Sequence, residues 1–252
     1  MRKQQQWQIL DLLQTIEEAQ AAGLYADCQD GALGIIRYVE SLEGEGTRTA
    51  ELLAEYYELL FRADGGEIGA EVLREHLRAI GAGVRSELRP NKIEAVFLSY
   101  NASMADCLES VYLAAKADPA CEAVWLPIPY FERNNDGSLG AARYEGAESY
   151  GVSFACADWR GYDMKTRRPD AIFSFAPYDA DNYVTAVHPD FYFERLRGLT
   201  DCLAYIPYFV CTGDVPEHFC TVAGCVYAHK VFVQSEKVRA TYIRVFREAF
   251  GD

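Results

Sequence analysis

The chain has 252 residues, half of them apolar and 13% aromatic, enough to fill a core and too many for a chain that stays unfolded. Its 24 Lys and Arg stand against 38 Asp and Glu, a net charge of −14. That balance disfavours general binding to nucleic-acid phosphates and adhesion to an anionic membrane through bulk charge. No run reaches the roughly 18 apolar residues of a spanning helix, and the opening MRKQQQWQ lacks the apolar stretch of a signal peptide.

The first ~88 residues carry helical periodicity. Trp7, Leu10, Leu13 and Ile16 suggest a first helix, with Gly23 as its stop. Cys28, Ile35, Tyr38, Val39 and Leu42 suggest a second, ending near Gly44 and Gly46. Thr47 or Thr49 can cap a third, striped by Leu52, Leu53, Tyr56, Leu59 and Leu60, and a fourth runs from about Ile68 to Leu88. The expectation is a helical domain over 1–88 with antiparallel helices and short loops. Any apolar face left over would pair with a second subunit, giving a homodimer; a self-satisfied bundle is the other reading.

The pattern changes at Arg89-Pro90-Asn91, since Pro90 biases its predecessor away from helix. Over 89–252 strands alternate with helices. KIEAVFLSY is a buried strand, followed by a helix from about Ser103 to Ala117 and by the strand CEAVWLPIPY. A loop-rich stretch extends through NNDGSLG, and SFACA is a weak third strand. RPDAIFSFAPY is a fourth strand, HPDFYFERLRGL a helix opened by Pro189, DCLAYIPYF and AHKVFVQS the fifth and sixth strands, and SEKVRATYIRVFREAF the last helix. The fold class is therefore α/β: a helical bundle followed by a Rossmann-like lobe with a mostly parallel sheet.

Ligands of such sheets bind beyond the carboxyl ends of the strands, which selects three loops. After the first strand, Ser103 reads as a helix N-cap with Asp106 at the third helical position. The free amides there favour an anionic group, although an ordinary capping box is the plainer reading. After the second, Tyr130, Arg133 and Glu145 mix aromatic and polar character suited to a polyol or sugar. After the fourth, Tyr178, Asp179, Asp181, Asn182, Tyr183 and His188 crowd together, with His188 able to move a proton near neutral pH. GxGxxG, GxxxxGK[ST] and GxSxG are absent. His218, Cys220, Cys225 and His229 are zinc-type ligands at a spacing of no standard finger, and the eight cysteines read as free thiols of a cytosolic protein rather than as metal ligands or disulfides.

Longer strings carry a resemblance. YNASMADCLESVYLAAKADPACEAVWLPIPYFERNNDGSLGAARYEG and RRPDAIFSFAPYDADNYVTAVHPDFY, followed by LAYIPYF and by HFC and KVFVQSE, resemble bacterial CDP-glycerol glycerophosphotransferase-like proteins of teichoic-acid-type biosynthesis. The helical leader YADCQDGALGI with EGEGT is similar too, so the resemblance covers essentially the whole chain. It implies the N-terminal, acceptor-side half of a GT-B fold, with no metal or organic cofactor. It also implies a nucleotide-linked glycerol donor held mainly by a C-terminal lobe and a polyol or polymer acceptor, in the cytoplasm or peripheral at the inner face of the membrane. Members of the family continue past the position of FREAFGD, so a chain that stops there is expected to be inactive alone. Where well-characterised members carry a histidine–glycine pair, Pro207 and Tyr208 stand here. The expected proton acceptors are therefore His188 or Asp106, with Ser103, Tyr130, Glu145, Tyr178 and Asn182 binding substrate. A nucleotide-sugar glycosyltransferase and a non-catalytic binding or dimerisation module are the alternatives.

Overall fold

The computed structural model describes residues 1–251. Contacts divide the chain into two compact units, Met1–Lys92 and a second beginning at Ile93.

In the first unit, four helices each bury a stripe whose steps alternate between three and four residues. The helices are α1 (Lys3–Ala21), α2 (Tyr25–Glu43), α3 (Arg48–Asp64) and α4 (Ala70–Ser86). Ile9, Leu13, Ile16 and Gln20 face inward on α1, and Cys28, Ala32, Ile35 and Val39 do so on α2. Leu53, Tyr56, Leu60 and Ala63 line α3, and Leu73, Leu77, Ile80 and Val84 line α4. The α1 stripe departs from the expected one. Steps of three residues drift by about 60° each around a helix of 3.6 residues per turn, so a stripe from Trp7 through Leu10 winds off the core. Trp7 is exposed and lies under the Lys3 ammonium, 4.3 Å from the ring centroid.

Helix ends follow from local chemistry. Gly23 adopts φ +76° and lets the Leu24 N–H reach back to the Ala19 carbonyl at 3.0 Å. Thr47 is the cap of α3, accepting from the Ala50 N–H at 3.2 Å. Thr49 is buried instead, donating to Glu87 at 2.6 Å. Glu87 also accepts from the Arg48 and Thr49 amides, each at 2.8 Å. Partial burial pushes this carboxyl upward, but the bonds from Thr49 and Arg48 outweigh it and hold the pKa below the usual carboxylate value. α1 packs on α2 and α4, and α3 on the same two. Linkers of three to five residues cannot run back along helices of 17 or 19, so sequential neighbours are antiparallel. A buried bond from the Tyr56 hydroxyl to Gln20 Oε1 (2.7 Å) crosses this core.

Among the described residues, the second unit holds a five-stranded parallel sheet in the order β2-β1-β5-β7-β8. Its strands are β1 (Ile93–Ser99), β2 (Cys121–Pro127), β5 (Ala171–Ser174), β7 (Cys202–Tyr205) and β8 (Lys230–Val231). Numbered as parallel strands alone, this is the doubly wound order 2-1-3-4-5. Residues of β1 alternate between two cores. Ala95 and Phe97 pack with Leu108 and Tyr112 of α5 (Asp106–Ala117). Val96 and Leu98 belong to a cluster with Phe193 and Leu196 of α7 (Phe193–Leu196) and with Val238, Tyr242 and Val245 of α9 (Glu236–Phe250). Short helices α6 (Met164–Arg167) and α8 (Ala223–Tyr227) complete the crossovers. No described helix is long and apolar enough to cross a membrane.

Three expectations need correction. SFACA forms only a single bridge, Cys156 to Trp125, at the β2 edge. The stretch through NNDGSLG is a hairpin of β3 (Tyr130–Arg133) and β4 (Leu139–Arg143), turned at Gly137 with φ +82° and joined by β6 (Thr185–Val187) into a small antiparallel sheet. HPDFYFERLRGL is a 3-10 turn over Pro189–Phe191 followed by α7, because Tyr192 is extended between them.

At the opposite end of the sheet, Glu94 is fully buried and held by two guanidinium nitrogens of Arg167, the Nε at 2.9 Å. The Arg167 guanidinium also lies 4.9 Å over the Tyr162 ring. Replacing Arg167 with Ala takes the cation away from a carboxylate in the core. Because solvent reaches the arginine side of the pair, the expected loss is about 2–3 kcal/mol, below that of a fully buried pair. Urea unfolding of Arg167→Ala checks it, and a loss under about 0.5 kcal/mol would show the pair to be dispensable.

Candidate functional site

The strand order reverses between β1 and β5, so the loops leaving their carboxyl ends diverge and open a crevice. A pocket of about 250 Å³ occupies that place. Tyr100 and Met104 line it from the loop after β1; Tyr178, Asp179 and Asn182 from the loop after β5; Thr185 and Val187 from β6; and Tyr208 from the loop after β7.

The loop after β1 spends its polar groups internally. Asn101 Oδ1 accepts from the Ser103 amide (2.9 Å) and hydroxyl (2.7 Å), making Asn101 the cap and Ser103 its donor. Glu145 Oε2 takes the Ala102 N–H at 2.7 Å. The amides expected to hold an external anion are thus filled by the chain's own side chains. The expected Ser103–Asp106 capping box does not form, because residues 102–104 make a 3-10 turn and α5 starts only at Asp106. Asp106 is exposed there, contacted by the Cys107 thiol at 3.7 Å. Burial and this neighbouring carboxylate push the thiol up to about 11.

The loop after β5 is held from three sides. Asp179 has φ +47°, unusual for a residue with a side chain. Its carboxylate caps α7, accepting from the Phe193 N–H at 2.8 Å and the Glu194 N–H at 3.4 Å. Burial raises this carboxyl to about 6 even against those two donors. Arg133 of β3 donates to the Asn182 carbonyl (2.6 Å), the Gly137 carbonyl (2.7 Å) and the Ala180 carbonyl. Gly224, in the first turn of α8, donates to the Pro177 carbonyl at 2.8 Å. A Cβ at Gly224 would lie 2.7 Å from the Pro177 Cβ, so only glycine lets α8 back this loop.

Inside the pocket the Tyr178 and Tyr208 hydroxyls bond each other at 3.0 Å. Burial, then the bond to Tyr208, push the Tyr178 hydroxyl far above its ordinary value, so it stays a neutral donor and acceptor. Asn182 accepts from the Val184 N–H at 3.0 Å, and its amide nitrogen faces the Thr185 hydroxyl at 3.5 Å. Among the described residues, the lining holds one carboxylate, Asp179, and no Lys, Arg or His.

Of the residues selected from sequence, Tyr178 and Asn182 line this pocket. Tyr130 and Glu145 stand behind it: Tyr130 meets Tyr100 edge-on at 5.3 Å and donates to Glu145 at 3.4 Å. Ser103, Asp106 and His188 are outside the lining. His188 Nδ1 accepts from the Asp190 N–H at 3.3 Å, and its ring sits among Phe131, Trp159 and Phe191. Tyr100 and Tyr208 also line the pocket; tyrosine is not a residue type that titrates near neutral pH, neither belongs to a motif, and their signal in the sequence is their place just after strand ends. The thiols of Cys220 and Cys225 are buried, His229 accepts from the Leu203 N–H at 2.9 Å, and no three His, Cys, Asp or Glu among the described residues are placed to hold a metal ion.

No family model matches this chain, and neither a curated protein nor a solved structure does.

Two measurements check the loop. Asp179 binds its proton more tightly in the folded chain than in the unfolded one, so its contribution favours folding below the ordinary carboxylate pKa and is lost as pH rises through about 6. Asn tolerates the same backbone and does not titrate. Melting Asp179→Asn across pH 4 to 7 should therefore show a flatter profile than the parent; an unchanged profile removes Asp179 as its source. Gly224→Ala should cost about 1–3 kcal/mol in urea unfolding through overpacking against Pro177, and a neutral result would show that α8 can yield.

Proposed function

We propose that the α/β unit is the acceptor-side lobe of a glycerophosphotransferase-like protein and that its switch-point pocket receives an uncharged, polyhydroxylated group. One observation supports this most. The lining offers three tyrosine hydroxyls, a threonine hydroxyl and a carboxamide around apolar side chains, with no cation among the described lining residues. Such groups pair with the alternating hydroxyls of a polyol while ring faces cover its C–H edges. A phosphate finds no partner charge there, so the donor's phosphates would be held by other groups.

On this reading an acceptor hydroxyl attacks the donor phosphorus of CDP-glycerol. A new P–O bond forms, the bond to the cytidylate oxygen breaks, and the hydroxyl proton passes to a carboxylate. Asp179, with its carboxyl raised to about 6, suits that last role. His188 and Asp106, expected in the role from sequence, stand outside the lining. The resemblance adds a site of action in the cytoplasm or peripheral at the inner membrane face; separately, any apolar face left over on the helical unit would pair with a second subunit. A second reading, a polyol-binding module without chemistry, is favoured by the backbone amides that engage both oxygens of Asp179.

Calorimetric titration with glycerol and ribitol tests the reading. Saturable binding is expected, weakened about 3- to 10-fold by Tyr208→Phe or Asn182→Ala, as loss of one neutral hydrogen bond implies. No saturable binding of either polyol would sink it. If CDP-glycerol transfer to a bound polyol is measurable, Asp179→Asn should abolish turnover and spare binding; equal turnover would remove Asp179 from the chemistry, and polyol binding with no transfer in the parent would leave the binding-module reading.

A further inference from the structure

A larger pocket, about 590 Å³, lies on another part of the α/β unit, between α9 and the segment around β8. That size is within the usual range for small-ligand sites. Val231, Val233, Ile243 and Phe246 make its walls apolar, and Tyr242 forms part of them. Arg239 and Arg247, both exposed, also line it. Together with Ile243 they recur every fourth residue of α9, which sets all three on one helix face. Arg239 makes one exposed contact, to Glu236 at 3.3 Å. Two guanidinium groups framing an apolar hollow stand out in a chain of net charge −14.

A second observation points to a ligand. Tyr242 is 8% exposed, and its hydroxyl is buried with no hydrogen-bond partner; the Tyr205 hydroxyl, in the same apolar cluster, has none either. Buried hydroxyls ordinarily find partners. Helix α9 has a serine cap, Ser235 accepting from the Val238 N–H at 3.3 Å, and seats Val238 and Val245 in the core, so the orphaned hydroxyl is not the mark of a poorly seated helix. Tyr242 lines the pocket, and an acceptor is what its hydroxyl lacks.

We infer that this pocket binds a small amphipathic anion. An acyl-like apolar body lies along Val231, Ile243 and Phe246, an oxygen beside the body accepts from Tyr242, and a carboxylate or phosphate head pairs with Arg239 and Arg247. This site shares no residue with the switch-point pocket, and the inference does not rest on the function proposed above.

Calorimetry with octanoate and octyl phosphate tests it, with octyl glucoside as the uncharged control and inorganic phosphate as the control without a chain. Both octyl anions should bind saturably and at least tenfold more tightly than either control; equal binding of octyl glucoside would overturn the ionic part, and no binding of either anion would overturn the site. The double variant Arg239→Gln/Arg247→Gln should weaken octanoate binding about tenfold, as expected for lost charge-assisted bonds. Tyr242→Phe removes an unsatisfied hydroxyl, so it should melt no lower than the parent while binding octanoate more weakly. Unchanged octanoate affinity in both variants would overturn the assignment. So would a dimer, seen in sedimentation and broken by Ile243→Glu, in a chain that binds neither octyl anion.

Discussion

The α/β unit depends on a strand with no solvent face. From Glu94 to Ser99 every residue of β1 is buried. The strand is paired in parallel on both edges, with β2 on one side and β5 on the other. Alternate side chains therefore supply two different cores, and a slip of one residue would exchange them. The same central position creates the site. With β2 on one edge of β1 and β5 on the other, the loops leaving β1 and β5 turn apart, and the pocket lies where they diverge.

Much of the polar chemistry around the pocket serves to fix its walls. Asp179 caps α7, Arg133 holds three loop carbonyls, Asn101 and Glu145 occupy the amides after β1, and Gly224 backs Pro177. What remains facing the pocket is a set of hydroxyls with little charge. This distribution separates two jobs that a sequence shows as one cluster. The run from Tyr178 to His188 contains both the groups that line the pocket and the groups that hold its loop in place.

The division into helical and α/β parts was legible because periodicity changes at Pro90, and each of the five parallel strands lies within a run read as a strand. Tyr178 and Asn182 were legible from the rule that ligands lie beyond strand ends. The hairpin was not, because LGAAR has no strand-like alternation and its pairing comes from β3 beside it. In the sequence His188 and Asp106 stand out as titratable groups near strand ends. Their neighbours, however, were set by details below the level of pattern: an extended Tyr192 splits the helix after His188, and a 3-10 turn moves the start of α5 past the loop. The α1 stripe was misplaced for a related reason, since a three-residue spacing matches a helix only over a turn or two before it drifts.

The parallel pairing has a further consequence, for how the chain reaches its structure. In the helical unit, α1 meets α2 and α2 meets α3 across links of a few residues, so early contacts cost little loop entropy. In the sheet, Ala95 must find Ala171, and Ala171 must also find Cys202, before both edges of β5 are covered. Loop closure over such separations is the slow kind of event, and until it occurs the apolar edge of β1 stands open to other chains. The helical unit is thus the part that can form quickly as the chain emerges, while the α/β unit carries both the site and the period of greatest exposure to aggregation.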